Sequence, residues 1–159
     1  LRVILTPGHA SNHLCYLLEQ ERLLFTGDHV MQASTVVINP PDGDMGAYLR
    51  SLTALLDEDL EWLAPGHGFL MAQPRRAIRA VIAHRGRREA KVLTALRDLG
   101  PASAEALLER VYDDVPQRLH GMAMRSLLAH LFKLCDEARA TQAGDRWRLA
   151  TGETRPVDD

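Results

Sequence analysis

The chain has 159 residues, 46% of them hydrophobic and 25% charged, with a formal net charge of −2. Such a composition belongs to a folded globular protein of one domain or two small ones and excludes a disordered segment. The near-neutral balance excludes a uniformly basic nucleic-acid binder, and no apolar run approaches the roughly 18 residues of a membrane helix, so no membrane partner is expected.

Arg2–Thr6 is apolar and β-branched and predicts a strand, broken by Pro7-Gly8. Leu14–Leu18 and Leu23–Thr26 flank Glu-Gln-Glu-Arg and predict a hairpin whose second strand ends at Gly27-Asp28. Val36–Ile38 is a short strand or an extended loop. Asp44 caps a helix over Met45–Leu56, where Tyr48, Leu49, Leu52, Leu55 and Leu56 recur at helical spacing. Leu60–Leu63 predicts the next strand and delivers Pro65-Gly66-His67-Gly68. A long basic helix then runs from Gln73 towards Gly100, with Gly86 as a kink or a join between two helices. Ser103 starts a further helix ending near Tyr112, and Leu119–Leu134 carries the longest helical pattern of the C-terminal part. Ala138–Ala140 and Arg146–Ala150 predict two short strands, and Thr151–Asp159 reads as a frayed tail. Strand, helix and strand in alternation indicate a layered α/β arrangement, followed by a mainly α winged-helix plan of three helices and a hairpin. The expected division is 1–73, a linker helix 74–88, a winged-helix domain 89–150 and a tail 151–159.

His9, Asp28 and His67 each fall at or just past the end of an apolar, strand-like run. Imidazole nitrogens and a carboxylate in such places suit Zn²⁺ or a related divalent ion. The bland alternative is three turn residues in an α/β protein. His13, four residues after His9, lies in a loop-to-strand entry, so it is either structural or a catalytic, substrate-facing group. His29 is expected to point away from Asp28, because alternate side chains of a strand face opposite sides.

Thr-Pro-Gly-His at Thr6–His9, Phe-Thr-Gly-Asp at Phe25–Asp28 and Ala-Pro-Gly-His-Gly at Ala64–Gly68 resemble, in order, three of the five metal-ligand motifs of the metallo-β-lactamase superfamily. The resemblance implies the second half of an αβ/βα sandwich. It also implies a metal-dependent hydrolase that uses a metal-bound hydroxide on an ester, thioester or phosphodiester. His9 then resembles the third ligand of a first metal, Asp28 the bridge between two metals, and His67 a histidine of the second. The implied cofactor is Zn²⁺, two per complete site, with Mn²⁺ or Fe as alternatives. The superfamily's H-x-H-x-D-H motif is not in this sequence. The expectation is therefore a C-terminal portion that pairs with a missing N-terminal half, is inactive alone, and exposes a sheet face prone to homo-oligomer formation. With the winged helix behind it, the chain is similar to the subgroup containing beta-lactamase-like protein 2, an endoribonuclease. RNA thus joins small esters and thioesters as an expected substrate. Ile82–Arg85 and Arg88-Glu89 resemble the segment joining the two domains there.

Charge divides unevenly. Residues 1–74 hold three basic and nine acidic side chains, and residues 75–159 sixteen and twelve. The C-terminal part therefore either meets a polyanion or carries a basic solvated helix face. His84 and Arg85 either reach the mouth of the site and hold an anionic group, or lie buried against the sheet. Arg118, Arg125 and Arg148 are the expected nucleic-acid contacts of the winged helix. Cys15 and Cys135 sit in apolar patterns and read as buried, reduced thiols, which fits a cytoplasmic protein. The alternative function is a nucleic-acid-binding or regulatory module whose lactamase-like part is a non-catalytic scaffold.

Overall fold

The computed structural model describes residues 1–150 and divides the chain into two compact units, Leu1–Arg87 and Arg88 onward. The first unit is α/β. Its sheet runs in the order β1 (Arg2–Leu5), β2 (Leu14–Leu18), β3 (Leu23–Gly27), β4 (Trp62–Pro65), β5 (Met71–Ala72). Pairing is antiparallel except between β3 and β4, which are parallel. Parallel neighbours need a crossover, and residues 28–61 supply it, including α1 (Met45–Ala54). The Asp44 side chain caps α1 by accepting a hydrogen bond from the Ala47 amide at 2.8 Å.

Period-2 alternation sorts the sheet residues. Leu17, Leu24 and Leu63 lie in one register row and are buried, as is Cys15. Burial pushes the Cys15 thiol up to about 11, which keeps it protonated. Met45, Tyr48 and Leu52 of α1, Ile78 and Val81 of α2 (Pro74–Leu99), and Val30, Val36, Ile38 and Leu55 between strands are buried with them. The other sheet face is apolar and open to water. Val3, Tyr16 and Phe25 share a row and are 54%, 41% and 44% exposed, and Leu5 pairs with the exposed Leu14 in the next.

The second unit holds the C-terminal half of α2, β6 (Ala102–Ser103), α3 (Ala104–Val111), α4 (His120–Asp136), β7 (Ala140–Ala143) and β8 (Arg146–Leu149), with sheet order β6-β8-β7. This is the winged-helix plan. Leu96, Leu107, Val111, Leu127, Leu131, Leu134 and Trp147 form its core. Several bounds shift from the sequence reading, β4 to Trp62–Pro65 rather than Leu60–Leu63 among them, and its open alternatives resolve. α2 passes through Gly86 as one helix. Val36–Ile38 takes the loop alternative. The first wing strand begins two residues late, at Ala140, because Ala138 adopts a left-handed φ of 56° that ends the helix region first. The expected tail, 151–159, lies outside the described residues. Among those described, no helix is long and apolar enough to cross a membrane.

One buried carboxylate is heavily paired in this unit. Glu89 accepts from Lys133 at 2.8 Å and Arg139 at 3.2 Å, and lies 3.4 Å from His130, whose side chain is fully buried. Burial pushes the Glu89 carboxyl up, but hydrogen bonds from His130 and Lys133 outweigh it and hold the group at about 2. A carboxylate whose folded value is depressed contributes stability above its unfolded value, and that contribution is lost as pH falls towards the folded one.

Two outcomes are expected. Glu89→Gln should cost about 2–3 kcal/mol at neutral pH, with the difference from wild type vanishing between pH 4.5 and pH 2 in urea titrations. Light scattering on the 159-residue chain should show dimers or larger species, and Val3→Ser with Phe25→Ser should shift it towards monomer; a wild-type monomer throughout would show that the open face is tolerated in water.

Candidate functional site

The ends of β1, β3 and β4 converge at one side of the first sheet. The Gly66 amide donates to the Gly27 carbonyl at 2.8 Å, which ties the segments carrying His67 and Asp28 together. Beyond β3, the Thr26 hydroxyl donates to the Val30 carbonyl at 2.9 Å and the His29 amide to the Thr26 carbonyl at 2.9 Å. This short turn presents Asp28 at the sheet edge. Gln32 clasps the opposite loop: its amide donates to the His67 carbonyl at 3.4 Å, and its side-chain oxygen accepts from the Phe69 amide at 2.9 Å.

His9 and His67 flank Asp28 on different oxygens. His9 Nε2 is 3.9 Å from Asp28 Oδ2, and His67 Nε2 is 3.4 Å from Oδ1. His9 Nδ1 donates to the Val37 carbonyl at 2.9 Å. A carbonyl only accepts, so this bond fixes the proton on Nδ1 and leaves the Nε2 lone pair towards Asp28. The Val36 carbonyl, one residue earlier, accepts a hydrogen bond from the Arg85 guanidinium. Arg85 is 3% exposed and stands 5.6 Å from the Tyr48 ring centroid. The expectation that Arg85 meets an anion at the mouth is therefore corrected: it takes the buried alternative, and its side chain holds the backbone that orients His9. His84 is half-buried on the same helix.

His13 and His29 form a second layer. The Thr6 hydroxyl lies 2.9 Å from His13 Nδ1, and the His13 ring stacks on His29 at 5.4 Å between centroids. Burial pushes the His13 imidazole below its ordinary value, with His9 adding to the effect and Asp28 opposing it. His29 is fully buried between His13 and Tyr48, whose ring stands edge-on at 4.8 Å. Burial, aided by His13 and His9, pushes it down to about 3, so the ring is neutral. Neither of its ring nitrogens has a hydrogen-bond partner. The Tyr48 hydroxyl donates to the His29 carbonyl at 2.7 Å. Two glycines make room. A Cβ on Gly8 would stand 2.3 Å from Tyr48 Cα, and one on Gly27, at φ +50°, would stand 3.1 Å from His13 Nε2.

The structure thus brings together the sequence-derived set His9, Asp28, His67 and His13. Sequence reasoning missed Tyr48, Gln32 and the Val36–Val37 carbonyls. Tyr48 gave only a helical-periodicity signal, and backbone acceptors give none. Among the described residues no group of three or more His, Cys, Asp and Glu side chains closes into a metal cage. The donor chemistry nevertheless fits part of one: an imidazole with its tautomer fixed by a backbone carbonyl, a two-oxygen carboxylate, and a second imidazole on the carboxylate's other oxygen. In the second unit Arg118, Arg125 and Arg148 are all exposed, and Arg148 Nε donates to the Thr141 hydroxyl at 3.2 Å.

Residues 1–67 match the family model described as the metallo-beta-lactamase superfamily, and residues 103–147 the beta-lactamase associated winged helix domain. Lactamase-like protein adaB of Aspergillus niger is 29% identical over 92% of this chain and 50% of its own length. An atrochrysone carboxyl ACP thioesterase of Aspergillus chevalieri is 30% identical over 92% of this chain and 46% of its own. The beta-lactamase-like protein 2 homolog of Drosophila melanogaster is 31% identical over 87% and 47%. The chain spans about half the length of the curated relatives it matches. A crystal structure of a metallo-beta-lactamase family protein from Thermus thermophilus superposes with a TM-score of 0.81 at 29% identity, covering 94% of this chain and 49% of that one.

Arg85→Met should leave the Val36 carbonyl unpaired and cost about 1–3 kcal/mol in urea unfolding. In ¹⁵N spectra the His9 imidazole should lose its fixed Nδ1-protonated tautomer; an unchanged His9 signal would mean that the Val37 carbonyl holds its place without Arg85.

Proposed function

Because the chain belongs to the metallo-β-lactamase superfamily, we propose that it is the metal-binding C-terminal portion of a hydrolase acting on a thioester or related ester. The observation that carries this reading is the pair of imidazoles on separate oxygens of Asp28, one with its tautomer set by the Val37 carbonyl. His9, Asp28 and His67 would hold divalent metal, with zinc the first expectation and manganese or iron the alternatives. When bound, such an ion supplies Lewis acidity and lowers the pKa of a coordinated water towards neutrality.

The chain's own residues then have distinct tasks. Asp28, with two oxygens facing two imidazoles, is the group able to serve two ions at once. His9 is held from behind by Val37, and His67 is held by the clasp of Gln32. His13, beside them and on the Thr6 hydroxyl, is the group placed to exchange a proton with the substrate. Thioester is favoured among substrates because relatives carry the name ACP thioesterase at 28–30% identity over more than nine-tenths of this chain. A phosphodiester is the second reading, supported by the exposed Arg118, Arg125 and Arg148 of the winged helix. Three ligands do not make a two-metal site, and the chain spans about half the length of its curated relatives, so the activity is proposed for a longer protein in which further ligands would complete the site.

In the full-length protein, Asp28→Ala and His67→Ala should each weaken zinc binding by about 100-fold or more and abolish hydrolysis of an acyl thioester. Metal analysis and a thiol-release assay read the two effects. A full-length protein that binds no zinc, manganese or iron, and whose hydrolysis is indifferent to Asp28→Ala, would leave the non-catalytic scaffold reading standing instead.

A further inference from the structure

A cavity of about 470 Å³ opens at the start of α2, lined by Leu60, Gln73, Pro74, Arg75, Arg76 and Arg79. Its wall carries three guanidinium groups and no carboxylate. The acidic residues on either side of Leu60 face other partners: Glu58 pairs with Arg2, Asp59 with Arg22 at 2.5 Å and Glu61 with Arg22 at 3.6 Å. Arg75, Arg76 and Arg79 are exposed, and among the described residues none of them forms an ion pair. Arg76 donates to the Gln73 side-chain oxygen at 3.2 Å, a neutral partner that leaves its charge uncompensated.

Arg79 follows Arg75 by four positions and Arg76 by three, the spacings at which like charges on a helix repel. This crowding disfavours the helix that carries it, and no carboxylate of the wall relieves it. The next exposed arginine of α2, Arg87, lies eight positions beyond Arg79, about 12 Å at 1.5 Å per residue. The charge is thus gathered at the cavity rather than spread evenly along the helix. β4 separates this place from the candidate metal site: about 10 Å of strand runs between Trp62, which pairs with Ala72 at the cavity end, and Pro65, which leads to His67.

We propose that this cavity is a second ligand site, which takes a small oxyanion carrying two or more negative groups. Its volume lies in the range of small-molecule sites, roughly 300–1,000 Å³. All three of its cations are guanidinium forks, which match the paired oxygens of carboxylate and phosphate alike. Three of them around one hollow exceed what a single negative charge can offset, so the ligand's valence is above one. Leu60 and Pro74 supply an apolar wall against which the ligand's body can rest, and Gln73 adds an amide beside the guanidinium of Arg76. A polycarboxylate and a phosphorylated compound share this chemistry, and the test tells them apart. The site stands independently of the proposed hydrolysis.

The test is calorimetric titration of the 159-residue chain with citrate, pyrophosphate and acetate, at about 0.1 M chloride, where exposed charges are partly screened. Metal is first removed with phenanthroline, a neutral chelator that does not itself offer an oxyanion. Citrate or pyrophosphate should bind with one equivalent, and acetate at least about tenfold more weakly. A preference for citrate assigns a polycarboxylate, and a preference for pyrophosphate a phosphorylated ligand. Arg76→Gln with Arg79→Gln should weaken the tighter anion about tenfold or more. Arg87→Gln, on the same helix but outside the cavity, should change it less than about twofold. In ¹⁵N spectra the Nε–H signals of Arg75, Arg76 and Arg79 should shift on titration while that of Arg87 stays. No binding of either multivalent anion, acetate binding as tightly as they do, or equal losses in the Arg87→Gln and double variants would each overturn the proposal. Because the protein is free of metal and no turnover is read, failure here leaves the hydrolase reading untouched, and failure of metal binding leaves this one untouched.

Discussion

Two consecutive carbonyls in the crossover between β3 and β4 tie the candidate site to its scaffold. That of Val36 accepts from buried Arg85, and that of Val37 accepts from His9 Nδ1. A charged guanidinium in an apolar interior is tolerable only where its hydrogen bonds are met, so the cost of burying Arg85 fixes where this loop must lie. The loop then decides which nitrogen of His9 carries the proton. A long-range constraint between a helix and an irregular segment is thereby converted into the chemical identity of one ring nitrogen. Tyr48 reinforces the same link, with Arg85 over its ring and its hydroxyl on the His29 carbonyl.

The inner layer of the site is built of stacked imidazoles rather than a hydrogen-bonded network. His29 is pressed between His13 and Tyr48 with neither ring nitrogen partnered. A buried, unpaired ring of this kind ordinarily costs on the order of 1–3 kcal/mol. It behaves as an aromatic spacer beside His13, and its neutrality keeps a charge out of this buried layer.

Much of this was legible in the amino-acid sequence, for identifiable reasons. His9, Asp28 and His67 stood out because each follows an apolar run and neighbours a glycine, a local pattern that survives without knowledge of the fold. The strands that carry them were legible as short apolar runs ended by Pro-Gly or Gly-Asp, and α1 through its Asp44 cap and helical spacing. Arg85 was not resolved, because a helix-face arginine looks the same whether it snorkels outward or meets a carbonyl 49 residues away. The continuity of α2 through Gly86 was hidden for a related reason: a Cβ there would meet nothing within 4 Å, so its glycine marks no close approach. β5 and β6, two residues each, carry too little pattern to be read at all.

Gly8 has a consequence for anyone moving this site into another scaffold. Its backbone lies against the start of α1 so closely that an added methyl would coincide with the Tyr48 backbone, and its carbonyl accepts from the Asp44 amide at 2.8 Å. A transplantable piece is therefore not the four-residue turn bearing His9 alone but that turn together with the first turn of α1 and the Val36–Val37 loop. A graft that copied the histidine and its glycine onto a bare hairpin would reproduce the motif on paper and lose both the backbone that the turn rests on and the carbonyl that orients the imidazole.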